Sequence, residues 1–319
     1  MKNGNKNDNE SILYFQEFIH HSNQPSEKII KEEPQSSSKL DTAEIFFELA
    51  NAPMVGYKIG TNDIIIKQDN SCQSHTGGIV WETAYLLATY LCSKYQNNHN
   101  ENKNIIDTHD KIILGKTLEV GSGCGMLGLI LASSGLCSKV IMTETKDVMA
   151  NLLQNVEYNI TKDPTDANLR KKISVRQLRW DKHKKDMTYC QNEVKSDDLN
   201  PYSFDTIVGT DVIFTPSLVK PLLKTLRKMS HKRTNIYLCV QIRCEDSHGL
   251  FMKKAKKYDL ECSDCTERLK DFPSCSFGLE LDCKLLHLTV INKDDKKRKG
   301  DDNIISSYCD VSKKKKSKI

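Results

Sequence analysis

Two groups of residues in this chain have the types and spacing to do chemistry. The first is Leu118-Glu119-Val120-Gly121-Ser122-Gly123-Cys124-Gly125-Met126-Leu127-Gly128, where an apolar run meets an amphipathic segment through a turn with almost no side chains. Strand, glycine loop and helix in that order set amide N–H groups and a helix N-terminus beside a ligand. The second is Asp211-Val212-Ile213-Phe214, an acid and an aromatic closing a later apolar run. Glu144 and Trp180 close two others. The set suits adenosine plus a reacting group: glycines for close approach, a carboxylate for ribose, an indole for the base and an acidic-aromatic pair left over. Trp180 also reads as a core tryptophan. Asp211 also reads as an N-cap for the helix starting near Pro216, although it lies too far upstream for a simple cap.

The glycines have several readings. Gly123-x-Gly125-x-x-Gly128 fits the dinucleotide fingerprint, with Glu144 following where an acid takes ribose hydroxyls. Glu119-x-Gly121-x-Gly123-x-Gly125 fits equally the loop of S-adenosylmethionine methyltransferases, in which the first acid serves the methionyl amino group. A turn that needs glycine for backbone reasons alone explains the same letters.

These residues need a scaffold, and the apolar periodicity supplies one. Lys111-Ile112-Ile113-Leu114 and Thr117-Leu118-Glu119-Val120 read as extended chain, and 126–132 as a helix. Lys139-Val140-Ile141-Met142-Thr143 is a second strand ending at Glu144, followed by a helix over 148–159. Further strands are expected over 173–178, 204–210, 235–242 and 284–291, and helices over 218–229 and 248–258. Alternating strands and helices give an open, Rossmann-like α/β sheet of seven mostly parallel strands. Two strands near the end with no helix between them fit an antiparallel finish. Ahead of this unit, Gly56-Tyr57-Lys58-Ile59 and Ile64-Ile65-Ile66-Lys67 flank Gly60-Thr61-Asn62-Asp63 as an N-terminal β-hairpin. Thr76-Gly77-Gly78-Ile79-Val80-Trp81-Glu82 then leads into a helix carrying Leu86, Leu87, Tyr90 and Leu91 on one face. Residues 96–110 and 182–203 read as polar surface insertions.

Composition bounds the whole. The 319 residues are 38% hydrophobic, enough for one large core, while a mean hydropathy of −0.53 requires solvated tails and loops. The expected organisation is a disordered tail over 1–40, one domain over 41–292, and a basic, disordered tail over 293–319. The net charge of +5 concentrates in that last tail, in Lys296-Lys297-Arg298-Lys299 and Lys313-Lys314-Lys315-Lys316, which suit nuclear import or a loose polyanion grip. The absence of a signal sequence or membrane-length apolar run predicts a soluble cytoplasmic protein that also enters the nucleus. In that setting the twelve cysteines are thiols. Cys262-x-x-Cys265 with Cys275 and Cys283 has partial zinc spacing, but idle or buried thiols are the expectation and no metal is predicted.

The motifs together are more specific than any one of them. The hairpin end at Lys67-Gln68-Asp69, Thr76-Gly77-Gly78-x-Val80-Trp81-Glu82, the glycine loop, Thr143-Glu144 with Asn151, Asn155 and Asn159, and Gly209-Thr210-Asp211-Val212-Ile213-Phe214 occur in one order from about Tyr57 to Ile291. In this the chain resembles the methyltransferase-like 21 group of seven-strand protein-lysine methyltransferases. The resemblance implies an antiparallel seventh strand, S-adenosylmethionine as methyl donor, a monomer, and a protein substrate such as a translation factor or chaperone. It also implies that Trp81, Glu119, Gly121, Ser122, Gly123 and Gly125 line the cofactor, that Glu144 holds the ribose and that Trp180 lies against adenine. Asp211 and Phe214 would be the catalytic pair beside the methyl group, with Asp211 also touching the cofactor. One departure stands out: Arg179 occupies the place before Trp180 where many relatives carry an acid, and Asp181 follows it.

A lysine acceptor agrees with the residue chemistry. An ammonium of reference pKa near 10.4 must lose its proton before attack. An enclosed site lowers that pKa, Asp211 accepts hydrogen bonds from the amine, and Phe214 supplies an apolar wall. Planar amide or base acceptors call for Asn-Pro-Pro-Tyr at this strand end, and Asp-Val-Ile-Phe has neither the prolines nor the asparagine. Three other readings compete: an RNA methyltransferase using the basic segments, a nicotinamide dehydrogenase using the same glycines, and a non-catalytic adenosyl-binding protein. The basic runs have no interleaved aromatics to stack bases, no proton relay marks a dehydrogenase, and a membrane partner has no support.

Overall fold

The computed structural model of the chain describes residues 12–17, 41–70, 76–96, 113–162, 167–181 and 199–292. A small sheet comes first. Strand β1 (Leu13–Tyr14) runs parallel to β2 (Met54–Ile59), which turns at Gly60 into antiparallel β3 (Asn62–Lys67), and helix α1 (Thr42–Asn51) precedes the hairpin. Asp41 and Glu44 close α1 with a capping box. Phe15, 1% exposed, stacks on Tyr85 at 4.6 Å between centroids and also meets Phe46, Tyr57 and Phe277. Burial of that ring packs residues 12–17, which lie upstream of the boundary expected at residue 41, against the hairpin and the helix that carries Tyr85. The rest of the expected tails, 18–40 and 293–319, lies outside the described residues.

The main sheet contains β4 (Gly115–Val120), β5 (Cys137–Glu144), β6 (Ile173–Gln177), β7 (Phe204–Thr210), β8 (Ser230–Gln241), β9 (Leu260–Asp264) and β10 (Cys283–Val290). Their order is β6-β5-β4-β7-β8-β10-β9. Only β10 runs against its neighbours, so the expected mostly parallel sheet with an antiparallel last strand is the fold observed. The order reverses between β4 and β7, which opens a crevice beyond their carboxyl ends.

Both faces of the sheet are covered. Helices α2 (Glu82–Gln96), α3 (Met126–Ser133), α4 (Met149–Thr161) and α5 (Ala167–Lys172) lead into or alternate with the first strands. Helices α6 (Pro216–Met229) and α7 (Glu245–Ala255) follow β7 and β8. The strands alternate between the two cores: Val140 and Met142 pack in one with Leu87 and Leu127, while Leu118, Val120 and Ile141 pack in the other with Leu222 and Phe251.

Several elements depart from the sequence reading. Of the strand expected at 111–114, residues 111 and 112 lie outside the described residues and 113 and 114 form a bend before β4 starts at Gly115, while β8 starts at Ser230, five residues early. Strand β9 shows no pattern because only Leu260 of its five residues is buried, as suits an edge. The finish is not helix-free: 3-10 turns and the short helix α8 (Ser276–Glu280) separate β9 from β10. Of the two expected insertions, 97–110 and 182–198 lie outside the described residues.

The hairpin is tied to the main unit by side chains of α4. Asn155 accepts from Lys67 N–H at 2.9 Å through Oδ1 and donates through Nδ2 to Lys67 C=O at 3.0 Å. Asn159 does the same with Ile65, at 3.0 and 2.6 Å. Residues 65 and 67 are the alternate positions whose backbone faces away from β2, so two amides a helical turn apart stand in for a missing neighbour strand. Buried Gln68 completes the junction, donating to Leu49 and Ala52 carbonyls and accepting from Val80 N–H.

Candidate active site

A cavity of about 430 Å³ lies in the crevice beyond β4, β5 and β7. Its floor is the loop after β4. Ser122 N–H donates to Thr143 C=O, Thr143 N–H donates to Ser122 Oγ at 3.0 Å, and Thr143 Oγ1 donates to Glu119 C=O at 2.6 Å. Gly121 and Gly123 have φ of +67° and +52°, which the loop needs in order to turn twice within three residues. A side chain at Gly121 would meet Val212 and Trp180 across the cavity, at 3.2 and 3.4 Å from its Cβ.

Two carboxylates define the character of this end. Glu119 is 1% exposed and its Oε2 has no hydrogen-bond partner, although the residue lines the cavity. Burial, reinforced by nearby Glu144, pushes its pKa up to about 8. Room for its head group exists because residue 128 is glycine: a Cβ there would lie 2.5 Å from Glu119 Oε2. The third glycine of the dinucleotide-like pattern thus clears space for an acid rather than for a phosphate. Glu144, at the end of β5, accepts from Gly123 N–H at 3.4 Å and from Thr145 N–H. The Glu144 carboxylate and the unpartnered oxygen of Glu119 against the loop suit a ligand bearing an amino group and hydroxyls rather than a pyrophosphate. The orphaned Glu119 oxygen and the side-chain-free floor therefore fit the methionyl and ribose parts of S-adenosylmethionine. Val148, Leu178, Trp180 and Val212 add an apolar wall, and Arg179 and Asp181 at its rim pair with each other at 3.0 Å.

The other end gathers Trp81, Glu82, Asp211, Phe214 and Arg243. Asp211 follows β7 with φ of +50°, a conformation that aspartate tolerates better than most residues. Its Oδ1 accepts from Gln241 N–H at 2.8 Å, and its Oδ2 accepts from Arg243 Nη2 at 3.1 Å and Nε at 3.4 Å. The same Nη2 donates to Glu82 Oε1 at 2.7 Å, and the guanidinium lies 4.3 Å from the Trp81 ring. Burial raises the pKa of Asp211 and of Glu82, and Arg243 opposes the rise in both. Phe214 is 46% exposed at the cavity mouth.

Trp81, Glu119, Gly121, Ser122, Gly123, Glu144, Trp180, Asp211 and Phe214 all line this one cavity. Gly125 does not: its φ of +94° caps α3, and a Cβ there would strike Leu152 and Met142 in the core instead. Sequence reasoning missed Arg243 and Glu82 as partners of Asp211. The signal available was position, since Arg243 stands just past the end of β8 and Glu82 at the first residue of α2. No cluster of three or more potential metal ligands occurs among the described residues, and the nine described cysteines, Cys262, Cys265, Cys275 and Cys283 included, are free.

Protein N-lysine methyltransferase METTL21A of Xenopus tropicalis is 28% identical over 192 residues, covering 60% of this chain and 73% of that protein. METTL21A of Mus musculus is 25% identical over 213 residues, covering 66% and 82%. The solved methyltransferase domain of bacterial CtHen1 superposes with a TM-score of 0.41 at 14% identity, covering 65% of this chain and all of that one. The lysine methyltransferase family profile matches residues 59–258, more than half of the chain. The chain belongs to the lysine methyltransferase family and is an S-adenosylmethionine-dependent protein-lysine N-methyltransferase.

Proposed function

We propose that the glycine-loop end of the cavity holds S-adenosylmethionine and that Asp211 and Phe214 receive the acceptor lysine at the other end. When bound, the cofactor supplies an electrophilic methyl group on a positively charged sulfur. Glu119 meets the methionyl ammonium, Glu144 the ribose hydroxyls, and Trp180 with Val148 and Leu178 the adenine. The floor of Gly121, Ser122 and Gly123 and the ring of Trp81 complete the pocket. The acceptor nitrogen must arrive without its proton, and burial against the apolar wall of the cavity disfavours the ammonium form. Asp211 accepts hydrogen bonds from the amine and aims its lone pair. Phe214 lies against the lysine methylenes and excludes water.

The observation that carries this reading is the placement of Asp211 and Phe214 at the mouth of the same cavity that Glu119 and Glu144 line. By resemblance to its family the acceptor is an intracellular protein such as a chaperone or translation factor, and the enzyme works as a monomer. Nine free thiols suit a reducing compartment, the cytoplasm, with the lysine runs at 296–299 and 313–316 available for nuclear entry.

The test combines binding and transfer. Purified protein is incubated with labelled S-adenosylmethionine and cell lysate, and label is located by mass spectrometry on a protein lysine. Asp211→Asn, which keeps the left-handed backbone accessible, is expected to bind S-adenosylhomocysteine within about threefold of wild type and to lose at least about 100-fold in transfer. Unchanged turnover in that variant would remove Asp211 from the mechanism.

A further inference from the structure

The guanidinium of Arg243 is shared between two carboxylates from different elements. One is Glu82 at the first residue of α2, with a side chain 11% exposed, and the other is Asp211 after β7, with a side chain 10% exposed. Two such groups joined through one cation carry a net charge of −1 when both are ionised. Without the cation, two buried like charges facing one cavity do not both stay ionised, and one takes up a proton. If that one is Asp211, the carboxyl turns from acceptor into donor and no longer accepts from an amine.

We propose that Arg243 is a positioning residue: by bridging Asp211 to Glu82 it keeps Asp211 ionised and turned toward the acceptor lysine. This rests on the reading of Asp211 as the group that orients the amine. The geometry makes Arg243 hard to replace. Nη2 reaches both carboxylates, Nε gives Asp211 a second bond, and the plane lies against Trp81, so the fork is fixed from three sides. Gln241 N–H fixes the other Asp211 oxygen. The remaining titratable groups facing Asp211 are the Cys239 thiol on β8 and the Cys283 thiol on β10, and burial raises both, so they are neutral in the working range. Arg243 is then the one cation among the described residues that balances Glu82 and Asp211.

The sign of the effect is fixed. Asp211 works ionised, so activity falls as pH drops through its pKa. Removing the cation raises that pKa, and removing Glu82 while keeping the cation lowers it. Three variants, Arg243→Met, Glu82→Gln and the double variant, are measured for kcat/KM on a protein substrate from pH 6 to 9. The Asp211 carboxyl ¹³C resonance, assigned by its loss in Asp211→Asn, is titrated in the ligand-free proteins. Arg243→Met should move the acid limb and the ¹³C midpoint up by about one unit or more, so that the loss in kcat/KM is largest at the acid end of the range and much smaller at pH 9. Glu82→Gln should move both down, and the double variant should return at least half of the way. Arg243→Lys should fall between, since an ammonium keeps the charge but loses the second bond from Nε and the planar face against Trp81.

An equal loss at every pH, an unmoved ¹³C midpoint, or a double variant no better than Arg243→Met would overturn the proposal. If the wild-type protein methylates no lysine, the functional reading fails, and the ¹³C titration still decides what Arg243 does to Asp211. Should Arg243→Met not fold, Arg243→Lys carries the test: an upward shift of the ¹³C midpoint supports the proposal and an unmoved midpoint overturns it.

Discussion

Glu119 makes cofactor binding measurable as proton release. Its ordinary pKa of 4.5 rises to about 8 in the folded chain because the carboxyl is fully buried beside Glu144. At pH 7 the free protein therefore holds this group about 90% protonated. Docking an ammonium against Oε2 requires the ionised form, so binding S-adenosylhomocysteine at pH 7 should release roughly 0.9 proton, and affinity should tighten about 50-fold between pH 6 and pH 8. Isothermal titration in buffers of different ionisation enthalpy measures both. Glu119→Gln serves as the reference, because the ligand's own amino group also titrates and its contribution survives in the variant. Stability supplies an independent arm. The unfolded chain loses this proton near pH 4.5 and the folded chain near 8, so the unfolded state binds fewer protons in between, and stability falls as pH rises across that window. The cost at pH 7 is on the order of 3 kcal/mol. Glu119→Gln removes it, so the variant should melt higher than wild type at pH 7 to 8, gain little at pH 4.5, and bind the ligand more weakly. A wild-type affinity with the same pH dependence as Glu119→Gln, together with no excess proton release, would refute the reasoning.

Three further outcomes follow from contacts described above. Gly128→Ala pushes a methyl to within 2.5 Å of Glu119 Oε2 and 2.8 Å of Met142, so urea denaturation should register a loss of about 1–3 kcal/mol and S-adenosylhomocysteine should bind more weakly. Asn155→Ala strips partners from Lys67 N–H, Lys67 C=O and Cys124 C=O, and should cost about 2–4 kcal/mol by the same assay. Phe214→Ala removes a ring that is 46% exposed, so stability should stay within about 0.5 kcal/mol while KM for the protein substrate rises with little change in KM for the cofactor.

What could be read from the sequence, and what could not, divides along physical lines. The central residues of strands β4, β5 and β7 are buried on both faces and rich in apolar side chains, so their ends located the glycine loop, Glu144 and Asp211. Strand β1 is two residues long, and its anchoring depends on Phe15 meeting four aromatic rings from distant segments, which no local pattern encodes. Gly125 and Gly128 look like the same loop chemistry on paper, yet one serves a helix cap against Leu152 and the other clears space for Glu119. The pairing of Asn155 with Lys67, and of Asn159 with Ile65, joins residues 88 and 94 apart in the chain. Arg243 was silent for a similar reason: its meaning comes from two acids, 161 and 32 residues upstream, that the fold brings to one guanidinium.

The two ends of the cavity solve opposite problems with the same functional group. Glu119 has no cation beside it, so burial leaves it protonated until a ligand brings a positive charge, and the free protein avoids a buried unpaired anion at neutral pH. Asp211 has to accept hydrogen bonds from an amine that arrives neutral and so brings no compensating charge. An acid in that position needs its counter-charge built in, and Arg243 is within hydrogen-bond reach of it. Environment rather than residue type thus separates a carboxyl that waits for a cation from one that already has it. The same logic explains why Glu82 is tolerated next to Asp211: a single guanidinium reaching both leaves one net negative charge in place of two.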